Sequence, residues 1–204
     1  MEEKDKELTP EKISLFFLTQ STHYLALAEN ALQEMERSGN AWMLTSDRQI
    51  TPEEYSELTK WSDFVIIFPT LFSFYHGLEL MIKGLLAISN PNVPEIHKFS
   101  ELFSAIKNTE LKDSEILKIA ERYLTIGGLT GTPLGTWLKN NSLTPDDLNE
   151  RLRYPFKKGQ KKPTRDHDLK YQEEKMIPFI KQMHSDSLIL RKLYVNHLRS
   201  MKKD

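Results

Sequence analysis

The sequence predicts an all-α fold, an antiparallel helical bundle of two to three long helices with shorter helices and a basic irregular segment. Apolar residues recur at the spacing of an amphipathic helix over long stretches, and the dipeptide Thr-Pro precedes an acid at three predicted helix starts. No alternating pattern of strand length is found. At 204 residues the chain suits one hydrophobic core, so we expect a single helical domain over residues 1–204, ordered from about 10 to 200.

The three helix starts are Thr9-Pro10, Thr51-Pro52 and Thr144-Pro145. In each, the threonine side chain can accept a bond from an orphan backbone N–H, proline fits the first helical position, and the following acid favours the positive helix end. After Thr51, Glu54 completes a capping box.

Two long helices are predicted from these starts. The first runs from Pro10 until Gly39 ends the apolar pattern, and the second runs from Pro52 to about Ser89. Pro69 interrupts the second, so the helix either kinks there or a new one begins. Its most apolar run is about twelve residues long, whereas a membrane span needs roughly twenty, so we interpret it as core.

The rest of the chain predicts shorter helices, a connector and one last long helix. The predicted elements are a helix at about 99–106, a helix at 116–124 capped by Asp113 and closed by Gly127-Gly128, a connector at 129–142, at most a short helix at 145–150, and a helix at about 171–201 with Pro178 as its start or a kink.

Composition excludes several kinds of chemistry. The chain has no cysteine, which excludes disulfides, thiolate metal sites and cysteine nucleophiles and is compatible with a reducing cytoplasm. The first residues are charged and lack the apolar core of a secretory signal, so we expect a cytoplasmic location and no membrane partner. No metal-binding motif and no glycine-rich phosphate loop is found, and we assign no metal and no cofactor.

The basic irregular segment, residues 151–168, holds the main concentration of positive charge. From Arg151 to Arg165 seven side chains are cationic and none is acidic; since the formal net charge is −1, the remaining residues carry −8. Arginine can clamp phosphate and an aromatic ring can stack on a base, so the segment has the residue types of single-stranded RNA binding. Its predicted RNA-binding residues are Arg151, Tyr154, Lys157, Lys158, Lys161 and Lys162. The alternative is a hydrated loop.

A polar stripe crosses the otherwise apolar second helix. His76, Glu79 and Lys83 are spaced by three and four residues and therefore share one helix face. The stripe is either a surface ion pair of small energetic effect or a buried site, in which the charges must be paired because desolvation is costly. Gly77 and Gly84, seven residues apart, predict a strip where a neighbouring helix approaches closely.

The chain resembles the HEPN superfamily, helical-bundle proteins of prokaryotic toxin and defence systems, in three segments that follow one another: FYHGLELMIKGLL, HKFSELF and LRYPF. The resemblance spans about residues 10 to 200. It implies a homodimer and, in many members, a metal-independent endoribonuclease whose signature is Arg, four to six residues, then His; other members are non-catalytic binding modules. Arg191 and His197 match that spacing, but on a regular helix they lie roughly 120° apart, and packing of the last helix is the alternative explanation.

We therefore predict a catalytic set of Arg153, His97 and Glu79. The Tyr154-Pro155 turn would hold Arg153 so that it meets Glu79 and His97 across the bundle, where the guanidinium and the carboxylate would satisfy each other. In a ribonuclease, His97 would act as general base on a ribose 2′-OH and Arg153 would stabilise the phosphorane.

Three alternatives stay open. The same groups can lock the basic segment against the second helix, the chain can be an interaction module that binds itself or an acidic protein, or the bundle can hold a small ligand near Glu79 and Lys83.

Overall fold

The structure is a computed structural model that describes residues 8–89, 93–110, 114–154, 156 and 163–201. Every regular element in these ranges is helical, which confirms the all-α prediction. The helices are α1 (Pro10–Arg37), α2 (Pro52–Thr59), α3 (Asp63–Leu86), α4 (Phe99–Lys107), α5 (Glu115–Leu124), α6 (Ile126–Leu129), α7 (Pro133–Asn140), α8 (Leu148–Arg151) and α9 (Glu173–Met201), with single 3-10 turns at Val93–Glu95, Pro145–Asp147 and Asp166–Asp168.

The helices α1 and α3 form the antiparallel centre of the bundle. Ser14 Oγ donates to the Gly84 carbonyl and Ser21 Oγ donates to the Gly77 carbonyl, both at 2.7 Å. A Cβ added at Gly77 would lie 2.8 Å from Leu25 Cγ, inside van der Waals contact. The predicted close approach along the glycine strip is thus confirmed, and its partners are two serines that share the seven-residue spacing.

The long helix α9 packs antiparallel against another side of α1. Arg191 Nη1 lies 2.6 Å from Glu29 Oε2, and His184 Nδ1 lies 2.8 Å from Glu36 Oε1. These two pairs set the register of the two helices. The shorter helices cover the other face of α3, where Phe74, Tyr75, Phe99, Tyr123 and Trp137 are the largest buried aromatic side chains.

The stretch Pro52–Leu86 is the one part of the described residues that is long and apolar enough to cross a membrane. Of its apolar window 67% is buried inside the bundle. It includes α3, which has neighbours on several sides and is therefore apolar around most of its circumference.

The second long helix breaks earlier than Pro69. The helix α2 ends at Thr59 and α3 begins at Asp63, and Pro69 lies exposed inside α3. The break forms because Asn40 Oδ1 accepts the Asp63 N–H at 2.5 Å, which satisfies a donor that a new helix start would leave orphaned. Pro69 is the seventh residue of α3, where it removes one backbone hydrogen bond of the helix.

Two local predictions after residue 113 are wrong. The predicted connector contains α7, whose N-cap Thr132 accepts the Gly135 N–H at 3.0 Å. Gly127 and Gly128 do not end a helix but lie inside α6. Ser114 is the N-cap of α5, and the predicted cap Asp113 lies outside the described residues. The predicted helix starts at Thr9 and Thr51 are confirmed, the latter with a capping box. The third, at Thr144, precedes the 3-10 turn Pro145–Asp147.

Candidate functional site

The carboxylate of Glu79 lies at the centre of a polar cluster on α3. Its Oε1 is 2.9 Å from Lys83 Nζ and 3.6 Å from His97 Nδ1. Its Oε2 accepts the Asn149 amide at 3.0 Å and lies 3.6 Å from His76 Nδ1. Four side chains from three parts of the chain therefore meet at the Glu79 carboxylate.

Three elements bring these side chains together. The helix α3 presents His76, Glu79 and Lys83 on one face, as their spacing predicts, while His97 precedes α4 and Asn149 belongs to α8. The turn before α8 is tied to α4, because Asp146 accepts both the backbone N–H and the hydroxyl of Ser100 at 2.7 and 2.6 Å. This tie holds Asn149 and His97 over the same part of α3.

The ion pair of Glu79 with Lys83 is buried, with side chains 5% and 3% exposed. Burial by itself would raise the pKa of Glu79, but the contacts with His76, Lys83 and Asn149 outweigh it and lower the pKa to about 2. The alternative of a surface ion pair is therefore wrong. Glu79 stays ionised at neutral pH and is a fixed negative charge rather than a proton donor.

Solvent reaches the cluster through the two histidines. The His97 side chain is 75% exposed and the His76 side chain is 30% exposed. The ring of His76 stacks on Phe72 with centroids 5.6 Å apart and meets the edge of Tyr24 at 4.5 Å. His97 Nδ1 faces both the Glu79 carboxylate and the Lys83 ammonium, so its Nε2 is the nitrogen left for a ligand.

Arg153 lies beside the cluster but does not pair with Glu79. Its Nε donates to the Asn149 carbonyl at 2.6 Å, and its guanidinium lies 5.7 Å from the centre of the Tyr154 ring. The prediction that Arg153 and Glu79 satisfy each other is wrong, because Lys83 and Asn149 already occupy the carboxylate. Arg153 is exposed, and among the described residues its terminal nitrogens have no hydrogen bond or ion pair. Asn149 connects it to the site.

The other predicted RNA-binding residues separate into three groups. Arg151 is buried, with a side chain 1% exposed, and donates to the Phe156 carbonyl and to Glu150, so its prediction as a surface RNA contact is wrong. Tyr154 is 56% exposed and available to a ligand. Lys157, Lys158, Lys161 and Lys162 lie outside the described residues, as does Pro155.

The spaced pair Arg191 and His197 lies on α9, away from Glu79. Arg191 ties α9 to α1 through Glu29, and burial lowers the pKa of the half-buried His197. The described part of the chain contains no group of three or more potential metal-ligating side chains.

Sequence reasoning missed Asn149, which links Glu79 to Arg153. Asn149 lies four residues before Arg153, and this spacing puts both side chains on one side of a helical turn. Once α8 is recognised after the Thr144 cap, that spacing is a usable signal.

Comparisons of the chain with protein-family models, with curated proteins and with solved structures give no match. Function must therefore be inferred from the geometry of this site.

Proposed function

We propose that this chain is an HEPN-like protein that binds RNA and cleaves it without a metal ion, as a toxin or phage-defence endoribonuclease. The observation that carries the proposal is the pairing of an accessible imidazole, His97, with an ionised carboxylate, Glu79, to which Asn149 links the exposed guanidinium of Arg153. Base, orienting group and phosphate binder are the parts that such a reaction needs.

In the proposed reaction His97 removes the proton from a ribose 2′-OH. The 2′ oxygen then attacks the adjacent phosphorus, and the bond from phosphorus to the 5′ oxygen breaks. The imidazolium returns the proton to that leaving oxygen, so the products are a 2′,3′-cyclic phosphate and a 5′-hydroxyl end. Arg153 binds the phosphate oxygens as their charge grows, since a guanidinium matches that geometry.

Glu79 has a positioning role in this proposal. Its carboxylate lies 3.6 Å from Nδ1 of His97, and Lys83 Nζ lies 3.5 Å from the same nitrogen, so Nε2 is the nitrogen left to act as the base. Lys83 and Asn149 hold the carboxylate still and keep it ionised.

Cleavage of a labelled single-stranded RNA in EDTA tests the proposal. His97→Ala and Arg153→Ala should each lower the rate on the order of a hundredfold or more, because each removes a group that acts in the transition state. Both side chains are exposed, so thermal stability should change little. Matched controls are His23→Ala and Arg37→Ala, two exposed residues of α1, which should cleave normally.

A non-catalytic interaction or ligand-binding module is the second candidate. It is favoured by the near-complete burial of Glu79, whose contacts also suit a structural lock between α3, α4 and α8. Intact RNA after incubation with pure wild-type protein, together with a large loss of stability in Glu79→Ala, would favour this candidate. We also propose a homodimer, which the resemblance implies, with RNA or an acidic protein as further partner.

A further inference from the structure

Aromatic rings and a cation form a continuous row beside the site, which we name the aromatic–cation surface: Trp42, Phe64, Phe68, Lys170 and Tyr171. Lys170 Nζ lies 5.5 Å from the centre of the Phe64 ring and 5.4 Å from that of Phe68. The ring of Tyr171 stacks on Phe64 at 5.2 Å, and Trp42 meets Tyr171 edge-on at 4.8 Å.

The row continues into the residues next to the Glu79 site. Phe68 lines a hollow of about 210 Å³ together with Arg153 and Tyr154. Phe68 is also on α3, eleven residues before Glu79, so the row and the site lie along one helix. Eleven residues span about 16 Å of helix, so a ligand that contacts both must be several nucleotides long.

Tyr171 has an unusual backbone that presents its ring to solvent. Its φ is 63°, in the left-handed region that residues other than glycine rarely adopt. Buried Asp63 holds this conformation, because its two carboxylate oxygens accept the N–H groups of Tyr171 and Gln172, each at 3.0 Å. Tyr171 is 45% exposed, so these hydrogen bonds, rather than packing of its ring in the core, hold the strained backbone. Strain of this kind concentrates at functional positions.

Exposure and charge point to a polyanion with flat rings. Phe64 is 39% exposed and Tyr154 is 56% exposed, which leaves ring surface in contact with water. The described cations at the surface and its adjoining hollow are Lys170, Arg151 and Arg153, against one acid, Asp166. Aromatic platforms beside cations bind consecutive unpaired bases and their phosphates with little sequence preference.

We propose that the aromatic–cation surface binds several consecutive unpaired bases of single-stranded RNA and leads the strand to the Glu79–His97 site. This inference rests on the proposed function. It specifies the substrate as a single-stranded RNA that extends beyond the nucleotides at the cleaved bond. Lys170 and Arg153 contact phosphates, Tyr171 and Tyr154 stack on bases, and Phe64 supports the ring of Tyr171 from behind.

Binding and cleavage with oligonucleotides of two lengths test the inference. The binding probe is a fluorescein-labelled single-stranded RNA of about 12 nucleotides, measured by anisotropy with the full chain. The variants are Phe64→Ala and Tyr171→Asn; asparagine removes the ring and tolerates a positive φ. The matched control is Ile126→Ala, which removes an apolar side chain, 65% exposed, from α6. Cleavage of a dinucleotide, too short to reach the surface, reports on the Glu79–His97 site alone.

The inference expects Phe64→Ala and Tyr171→Asn each to weaken binding of the longer RNA by about fivefold to a hundredfold, with Ile126→Ala unchanged. Unchanged affinity in both variants overturns it, and so does equal affinity for a double-stranded RNA of the same length. Binding of a decaproline peptide with no binding of RNA also overturns it and assigns the surface to protein. Failure of the proposed function would give a different result. In that case RNA binding would still depend on Tyr171, but the wild-type protein would cleave neither the longer RNA nor the dinucleotide.

Discussion

Glu79 and Lys83 form an ion pair at 2.9 Å one helical turn apart, inside the bundle. By contrast, the pair of Lys118 with Glu115 on α5 has side chains 64% and 52% exposed. An exposed pair contributes little to stability, whereas a buried carboxylate depends on its partners to stay ionised. The Glu79 pair should therefore be visible in measurements of stability against pH.

The first prediction concerns acid unfolding. The pKa of Glu79 is lowered from 4.5 to about 2, so the folded protein binds its proton less readily than the unfolded chain does. The resulting stability is fully present above about pH 4.5 and is lost as the pH falls towards 2. Its size is on the order of 3 kcal/mol. Urea unfolding of wild type and Glu79→Gln measures it: the variant should be less stable at pH 7 and lose less stability between pH 4.5 and 2.

Glu115→Gln is the matched control for that measurement, since Glu115 pairs with a lysine in solvent. Its acid profile should follow that of wild type. If Glu79→Gln also followed wild type through the whole acid range, the carboxylate would not be held ionised in the fold.

The second prediction concerns the pair as a unit. Lys83→Met should cost about 3–5 kcal/mol, because it leaves a buried carboxylate without its nearest cation. The double variant Glu79→Leu, Lys83→Met should recover much of that loss, since two apolar side chains at these buried positions need no charged partner. Chemical unfolding of the four proteins in this cycle gives the coupling energy.

Lys118→Met on α5 is the exposed control and should change the free energy of unfolding by less than about 1 kcal/mol. Equal losses for Lys83→Met and Lys118→Met would contradict the burial of the Glu79 pair.

Local patterns were sufficient to predict most of the fold. A threonine cap, a proline at the first helical position and apolar spacing act within a few residues, so α1 and the start of α2 follow from sequence. The missed helix α7 has the same Thr-Pro start, at Thr132, without the acid that marks the others. The break before Asp63 depends on Asn40, 23 residues away, and no local pattern contains that contact.

The site was predicted in part for the same reason. The placement of His76, Glu79 and Lys83 on one face is a property of one helix, whereas the approach of His97 depends on how α4 and α8 pack on α3. The sequence predicts two cationic partners for Glu79, Lys83 one turn away on the same helix and Arg153 across the bundle; the structure has the first and not the second. A cation on the same helix lies next to the carboxylate as soon as the helix forms, so it pairs with the carboxylate before a cation from a distant segment can.

The third prediction concerns the glycine strip between α1 and α3. Gly77→Ala and Gly84→Ala would put Cβ atoms 2.8 Å from Leu25 Cγ and 2.5 Å from Leu18 Cγ, so the helices must separate. Each should cost about 1–3 kcal/mol, beyond any gain in helix propensity. Gly127→Ala is the control, because its Cβ would meet no atom nearer than 3.9 Å, and it should be neutral or stabilising by up to about 1 kcal/mol. Thermal and urea unfolding compare them.

The fourth prediction concerns the proposed homodimer. Phe16 and Leu27 are 63% and 59% exposed on α1, and at eleven residues apart they lie roughly 20° from each other around the helix. Large apolar side chains on one exposed face are typical of a contact between subunits. Phe16→Glu and Leu27→Glu should each convert a dimer into a monomer, because a carboxylate would be buried without a partner. Ile126→Glu, at a position 65% exposed on α6, should leave the dimer intact. Light scattering coupled to size exclusion measures the masses; a wild-type monomer across the concentration range, or a dimer that survives both α1 variants, would show that this face is not the subunit contact.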